Sequence, residues 1–168
     1  MALCALSQAP FAQTSQPYRI TGKIANLQPP AKIHLTYKRD GGHVADSAIF
    51  NAGNFQIAGS ATEPFYAVLV IDYNGIGLFN LDRRKPADVL RLYVDNDSIV
   101  VTSKDSLKHA VIKGSRINQD YRTLNAAVEP LEKQINELEM TRPVDTALLI
   151  KLKANRLSKL REFIIAHP

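Results

Sequence analysis

The segment Lys32-Ile-His-Leu-Thr-Tyr-Lys-Arg-Asp-Gly-Gly-His-Val-Ala-Asp-Ser-Ala-Ile-Phe50 decides the fold class of this chain. Its first half alternates apolar and polar residues, which is the period of a strand with one buried face. Asp40-Gly41-Gly42 follows as a turn, because glycine adopts positive φ without a Cβ penalty. A second run, from Val44 to Phe50, completes a predicted β-hairpin.

Similar short runs lie on both sides of this hairpin, separated by turn residues. They are Tyr18–Ile24, Phe55–Ile57, Phe65–Asp72, Val89–Val94, Ile99–Thr102 and Ala110–Ile112. The run Phe65–Asp72 is almost continuously apolar, as expected of a central strand buried on both faces. About eight strands with no helix between them predict a mainly β fold, an antiparallel sandwich or barrel, of which we adopt the antiparallel β-sandwich.

The periodicity changes after Gly114-Ser115. A stripe of apolar residues spaced by four and three predicts a helix, with Ser115 as its N-cap. The stripe consists of Ile117, Tyr121, Leu124, Val128, Leu131, Ile135 and Leu138. Pro130 lies inside it and is expected to kink or split the helix, because proline lacks a backbone donor.

A second helix is predicted from about Val144 to Ala166, after a stop at Thr141-Arg-Pro143. Leu149, Leu152, Leu160 and Phe163 fall along one side of it. The two helices could form a C-terminal hairpin or connector, or pack on the sandwich or on a partner, and periodicity leaves these arrangements open. The domain organisation is therefore residues 17–114 as the β-sandwich and 115–168 as a helical connector or tail.

Residues 1–16 are interpreted as the remnant of a signal peptide, since they begin with a short run of apolar and small residues. Cleavage near Ala12 would remove Cys4, the only cysteine, and with it any disulfide or thiolate chemistry. Lipidation of Cys4 is the alternative, although the small residue usual before a lipidated cysteine is replaced by Leu3. The expected location is the periplasm or cell envelope. No apolar run reaches the ~20 residues of a transmembrane helix.

The net charge of +5 and pI near 9.4 raise the question of an anionic partner. The basic residues are scattered, however, and their densest clusters are Arg83-Arg84-Lys85 and the stretch Lys151–Arg161. The second cluster mixes with apolar residues at helical spacing. This pattern predicts solvated helix faces and no nucleic-acid site.

No spacing in the sequence predicts a catalytic, cofactor or metal site. His34, His43, His109 and His167 are far apart and are interpreted as surface or strand-face residues. Asp95 and Asp97 fit a turn, Asp46-Ser47 lacks a nucleophile elbow, and Asn74-Gly-Ile-Gly77 lacks the rest of a phosphate-binding motif. The aromatic residues Tyr18, Tyr37, Phe50, Phe55, Phe65 and Tyr66 are expected mostly in the core, with a stacking platform as the alternative.

Several motifs occur in the order of a known family. They are Tyr18-x-Ile-x-Gly22, Asp46-Ser-Ala-x-Phe50-x-x-Gly53-x-Phe55-x-Ile57-x-Gly59, Glu63-Pro64, Ile112-x-Gly114-Ser115 and Asn118-x-Asp120-Tyr121. From about residue 17 to 125 the chain resembles the β-sandwich domain of unknown function at the N-terminus of many TlpA-like, AhpC/TSA-type envelope thiol-disulfide oxidoreductases. In that family a Trp-Cys-x-x-Cys motif in a downstream thioredoxin fold does the redox work, and this sequence does not contain it.

The resemblance implies a non-catalytic accessory domain that positions or dimerises a thioredoxin-like domain, or offers client proteins to it. The partner would be that domain or a client, with homodimerisation as a further option, and the apolar stripe from Ile117 to Leu138 would pack against it. The alternative is a stand-alone envelope module that binds a glycan or small ligand through exposed aromatic residues.

Overall fold

The computed structural model describes residues 14–82 and 84–167, so most of the predicted signal remnant, including Cys4, lies outside the described residues. Eight strands are followed by two helices. The strands are β1 (Gln16–Ile24), β2 (Lys32–Arg39), β3 (Gly42–Ile49), β4 (Asn54–Ala61), β5 (Phe65–Asp72), β6 (Val89–Val94), β7 (Ser98–Ser103) and β8 (Val111–Lys113). The helices are α1 (Arg116–Met140) and α2 (Thr146–Ala166). Gln16, which was assigned to the signal remnant, is the first residue of β1.

The prediction of eight strands followed by C-terminal helices is confirmed, and the term "mainly β" applies to the part before the helices. Across the described residues, helix makes up 34% and strand 37%. The chain forms two compact units, one ending at Gly114 and the other beginning at Ser115.

The strands form two four-stranded sheets, in the orders β4-β1-β7-β8 and β3-β2-β5-β6. The expectation of purely antiparallel sheets is wrong at one place, because β1 pairs with β7 in parallel, with Ile20 opposite Ile99. The whole second sheet lies between these strands in the sequence, so the chain can return in either direction. Period-two alternation indicates which side chains share a face but not the direction of the neighbouring strand.

Alternating side chains from both sheets form a single hydrophobic core. Tyr18 of the first sheet meets Phe65 of the second edge-on, with ring centroids 5.6 Å apart. Phe50 and Phe55 make a similar edge contact at 5.5 Å. The predicted hairpin of β2 and β3 is confirmed, and its turn uses positive φ at Asp40 and Gly41.

The helices pair with each other as an antiparallel hairpin. Lys153 of α2 lies 2.7 Å from Glu139, Arg156 lies 3.6 Å from Glu132, and His167 lies 3.9 Å from Asp120. Residue numbers rise on α2 as they fall on α1, which defines the direction. The N-cap predicted at Ser115 is confirmed, since its side chain accepts from the Asn118 N–H. No described helix is both long and apolar enough to cross a membrane.

The predicted split at Pro130 is not found, because α1 runs without interruption from Arg116 to Met140. Proline removes only its own backbone donor from the helix. Contacts with the second helix lie on both sides of the proline, since Arg156 pairs with Glu132 and His167, just after α2, lies 3.9 Å from Asp120.

Replacement of Gly22 by alanine should destabilise the β unit by about 1–3 kcal/mol. A Cβ at this position in β1 would overlap the Val101 carbonyl oxygen and the Phe55 ring, and the backbone oxygen cannot move aside. Urea unfolding measures the loss. The matched control is Gly42→Ala, whose new Cβ would meet only the Arg39 carbonyl oxygen at 3.5 Å. Equal stability of the two variants would contradict this account of the packing.

Candidate functional site

A cluster of polar side chains surrounds the short helical turn Leu107–His109. The Asp105 carboxylate lies 2.9 Å from Nδ1 of His109, and the Ser106 hydroxyl lies 3.4 Å from the same nitrogen. The Ser103 hydroxyl is 3.1 Å from Asp105. These contacts, led by the His109 hydrogen bond, lower the pKa of Asp105 to about 2. The carboxylate is therefore ionised at neutral pH.

This cluster does not have the geometry of a hydrolase triad. A triad needs the carboxylate on one ring nitrogen of histidine and the serine hydroxyl on the other. Here Asp105 and Ser106 both approach Nδ1 of His109. The arrangement therefore gives Ser106 no general base.

An open groove of about 760 Å³ lies beside the cluster. Asp105, His109, Lys23, Lys104, Thr102 and Ser103 are among the residues that line it. Its two ammonium groups, one carboxylate and two hydroxyls provide sites for a polar ligand. The sequence interpretation missed this grouping, although Asp105 and His109 are four residues apart and could have been noticed on that basis.

A second cluster lies beneath the loop that follows β5. Asp72 is fully buried, and its oxygens accept from the N–H groups of Gly77 at 2.7 Å and Asn74 at 3.2 Å. Nε2 of His34 is 3.7 Å from the carboxylate and has no hydrogen-bond partner within the described part of the chain. The prediction that His34 is a surface or strand-face residue holds for the strand face, because His34 lies in β2, but not for the surface, because it is buried.

The pKa of Asp72 reflects two opposing effects. Burial raises it, but the N–H donors of Gly77, Ile76 and Asn74, with a smaller contribution from His34, outweigh burial and hold the pKa below its usual value. The carboxylate therefore remains charged and fixes the start of the loop. Sequence reasoning placed Asp72 only at the end of a strand, since the donors come from a loop whose path was not predicted.

Asp88 connects this loop to the turn at Leu107. Its carboxylate accepts from the N–H groups of Leu107 and Lys108 and from the Tyr73 hydroxyl, which is 2.6 Å away. Burial and this hydrogen bond raise the pKa of Tyr73 to about 12. Asp88 thus organises one end of the β unit, a role that no local sequence signal indicates.

The aromatic residues divide between the core and one outer sheet face. Four of the six that were singled out are buried, namely Tyr18, Tyr37, Phe50 and Phe55, while Phe65 packs against the core. Tyr66 is 42% exposed and meets Tyr93 edge-on, with centroids 5.5 Å apart. A depression of about 370 Å³ lies there, with Thr36, Lys38, His43 and Val68 among its lining residues.

The remaining sequence candidates do not converge on a common site. Asp97 donates its N–H to Asp95 at 3.2 Å, as expected of a turn, and Asp46-Ser47 lies within β3. Gly75 and Gly77 adopt positive φ in a loop, as predicted for that segment. Among the described residues, no group of three or more His, Cys, Asp and Glu side chains is placed to hold a metal ion.

The seven residues of the predicted partner-packing stripe all lie on α1. Val128 and Ile135 are buried, and Ile117, Tyr121, Leu124, Leu131 and Leu138 are half-buried. The hairpin interpretation accounts for part of this burial, because α1 and α2 contact each other. Whether a partner also contacts the stripe stays a prediction.

Asp72→Asn should lower the free energy of unfolding by roughly 2 kcal/mol at neutral pH, because an amide accepts hydrogen bonds less strongly than a carboxylate. The folded pKa of Asp72 lies below its unfolded value, so its contribution is complete above the unfolded pKa and is lost as the pH falls through the folded pKa. The stability gap between variant and wild type should therefore narrow in acid. Urea titrations between about pH 7 and pH 3 measure it. Asp97→Asn, in an exposed turn, should show no such gap.

Comparison with known proteins identifies the family. The model of DUF4369, a domain of unknown function, matches residues 18–121, which include most of the strands and the first turns of α1. This range lies within the segment 17 to 125 that carried the resemblance in the sequence. No curated protein matches the chain. Since the match covers more than half of its length, the chain belongs to the DUF4369 family, whose function is unknown.

Proposed function

We propose that this chain is a non-catalytic accessory domain, exported to the periplasm or cell envelope, that serves a thioredoxin-like thiol-disulfide oxidoreductase domain. Its task would be to position or dimerise that domain, or to present client proteins to it. The two sheets with a shared core support the interpretation of the first unit as a β-sandwich. The redox chemistry would belong to a Cys-x-x-Cys motif in the partner domain.

The observation that carries this proposal is the separate helical unit. The β unit ends at Gly114, and α1 and α2 then form a hairpin whose polar contacts lie on both sides of Pro130. The family match ends at residue 121, so most of the hairpin extends beyond the family domain. A long hairpin of this kind is suited to hold an attached domain at a fixed distance.

The purified chain alone should not accelerate the reduction of insulin disulfides by dithiothreitol, as measured by turbidity. When the chain is joined through its C-terminus to a thioredoxin-fold domain that carries Cys-x-x-Cys, kcat/KM for a disulfide-bonded client protein should rise several-fold above that of the free domain. The physical reason is the higher effective concentration of a client held nearby.

The control for this prediction uses adjacent positions on α1. Val128→Asp places an unpaired charge at a buried position and should abolish the gain, whereas Glu129→Gln at an exposed position should retain it. Circular dichroism checks that both variants remain folded. Insulin reduction by the chain alone, or a fusion no faster than the free domain, would refute the accessory function.

The alternative function is a stand-alone envelope module that binds a glycan or small ligand. The exposed Tyr66, its edge contact with Tyr93 and the adjacent depression favour it, because aromatic faces stack on sugar rings. Chitotriose and maltotriose should then cause saturable NMR shifts at Tyr66 and Tyr93. Tyr66→Ala should remove these shifts, and Phe79→Ala, at a strongly exposed aromatic residue elsewhere, should retain them. If neither chitotriose nor maltotriose causes saturable shifts in the wild-type protein, this alternative is contradicted.

A further inference from the structure

Helix α2 has a second apolar side that faces solvent. Ile150 is 69% exposed, Leu157 48% and Ile164 66%, and these residues are seven positions apart. Seven residues are close to two helical turns, so the three side chains project from the same side of α2. Ile165, 80% exposed, lies next to this row. We refer to the row Ile150, Leu157 and Ile164 as the outer row.

A neighbouring side of α2, about 100° around the helix from the outer row, is more deeply placed. Leu149, Leu152, Leu160 and Phe163 are all half-buried. These are the residues that the sequence pattern assigned to one side of the helix, and they account for the pairing of α2 with α1. The outer row takes no part in that pairing. The hairpin therefore does not explain why three large apolar side chains of α2 face solvent.

The charge of α2 indicates what the outer row meets. Five cationic residues stand against one carboxylate, Glu162. Glu162 already accepts from Ser158 and Lys159, at 3.1 and 3.4 Å. Lys151 and Arg161 form no ion pair within the described part of the chain. The exposed side therefore combines large apolar groups with available cations and favours an anionic, partly apolar partner.

A second copy of this chain is a poor occupant of the outer row. Pairing two α2 helices would bring the cations Lys151 and Arg161 of both copies together without added carboxylates, and like charges repel. An acidic coiled-coil partner also fits poorly. Arg161 lies between Leu157 and Ile164 at coiled-coil spacing, so a partner helix would bury its guanidinium among apolar knobs.

A bilayer surface accommodates the same residues without that cost. The stems of lysine and arginine lie along apolar surface while their charged ends reach the phosphates. Exposed Leu and Ile side chains and nearby cations both contribute to the binding of helices at the interface of anionic membranes.

We propose that the outer side of α2 binds the surface of an anionic phospholipid membrane, with Ile150, Leu157 and Ile164 entering the headgroup region and Lys151 and Arg161 contacting lipid phosphates. The hairpin then lies along the membrane with α2 against the lipid. This inference does not depend on the proposed accessory function, because it requires no thioredoxin-like partner.

Vesicle co-sedimentation with the purified 168-residue chain tests the proposal. The anionic vesicles contain phosphatidylcholine and phosphatidylglycerol in a molar ratio of about three to one, and the chain should bind them. It should bind vesicles of pure phosphatidylcholine roughly tenfold more weakly. Added salt should weaken binding, because it screens the lipid charge. Arg161→Gln should reduce the affinity by roughly fivefold, since one cation near the surface is removed.

The apolar contribution is tested with matched charge insertions. Leu157→Glu and Ile164→Glu should each reduce vesicle binding at least roughly tenfold, by adding repulsion and removing apolar contact. Ile49→Glu, at an exposed apolar position on β3, should bind as wild type does. Circular dichroism confirms that each variant remains folded.

Three results would overturn the proposal. The first is an absence of binding to the anionic vesicles, and the second is an equal loss of binding in Ile49→Glu. The third is a wild-type dimer in analytical ultracentrifugation that Leu157→Glu converts to a monomer, since that would assign the outer row to a second copy of the chain.

Discussion

The burial of β1 within its sheet is the constraint on which the β unit depends. This strand has β4 on one side and β7 on the other, and its alternate residues Tyr18 and Ile20 enter the core. The Tyr18 ring lies so close to Gly59 that a Cβ there would overlap it. Burial also raises the pKa of Tyr18 well above its ordinary value, so the phenol adds no charge to the core. Gly22 and Gly59 therefore lie where a ring or a carbonyl oxygen occupies the space of a side chain.

At one end of the β unit, buried and half-buried carboxylates replace apolar packing as the organising element. Asp72 gathers backbone donors from the loop after β5, and Asp88 joins that loop to the turn at Leu107. A charged hydrogen-bond acceptor is worth more than a neutral one when its donors are fixed in place. These carboxylates bond to loop backbone outside the strands, and binding residues often lie on loops that a rigid scaffold positions.

The two helices differ in how much of their apolar surface is buried. The large apolar side chains of α1 that are buried or half-buried all belong to the apolar stripe. Among the large apolar residues of α1, only Met140 is strongly exposed. Helix α2 is apolar on more than one side, so pairing with α1 satisfies only part of it. The excess of cations on α2 and of carboxylates on α1 accounts for the interhelical ion pairs. Those pairs are exposed, so they contribute more to the alignment of the helices than to stability.

The sequence by itself determined the elements and their faces. Two patterns depend only on neighbours along the chain, namely the alternation from Lys32 to Phe50 and the stripe from Ile117 to Leu138. The strands of the hairpin, its turn and the bounds of α1 lie where these patterns predict them. Tertiary structure decided the parallel pairing of β1 with β7, the continuity of α1 through Pro130, the burial of His34 beside Asp72 and the contact of Asp88 with the turn at Leu107. Pairing direction, burial and side-chain convergence arise from contacts between distant or turned segments, so a local period carries no information about them.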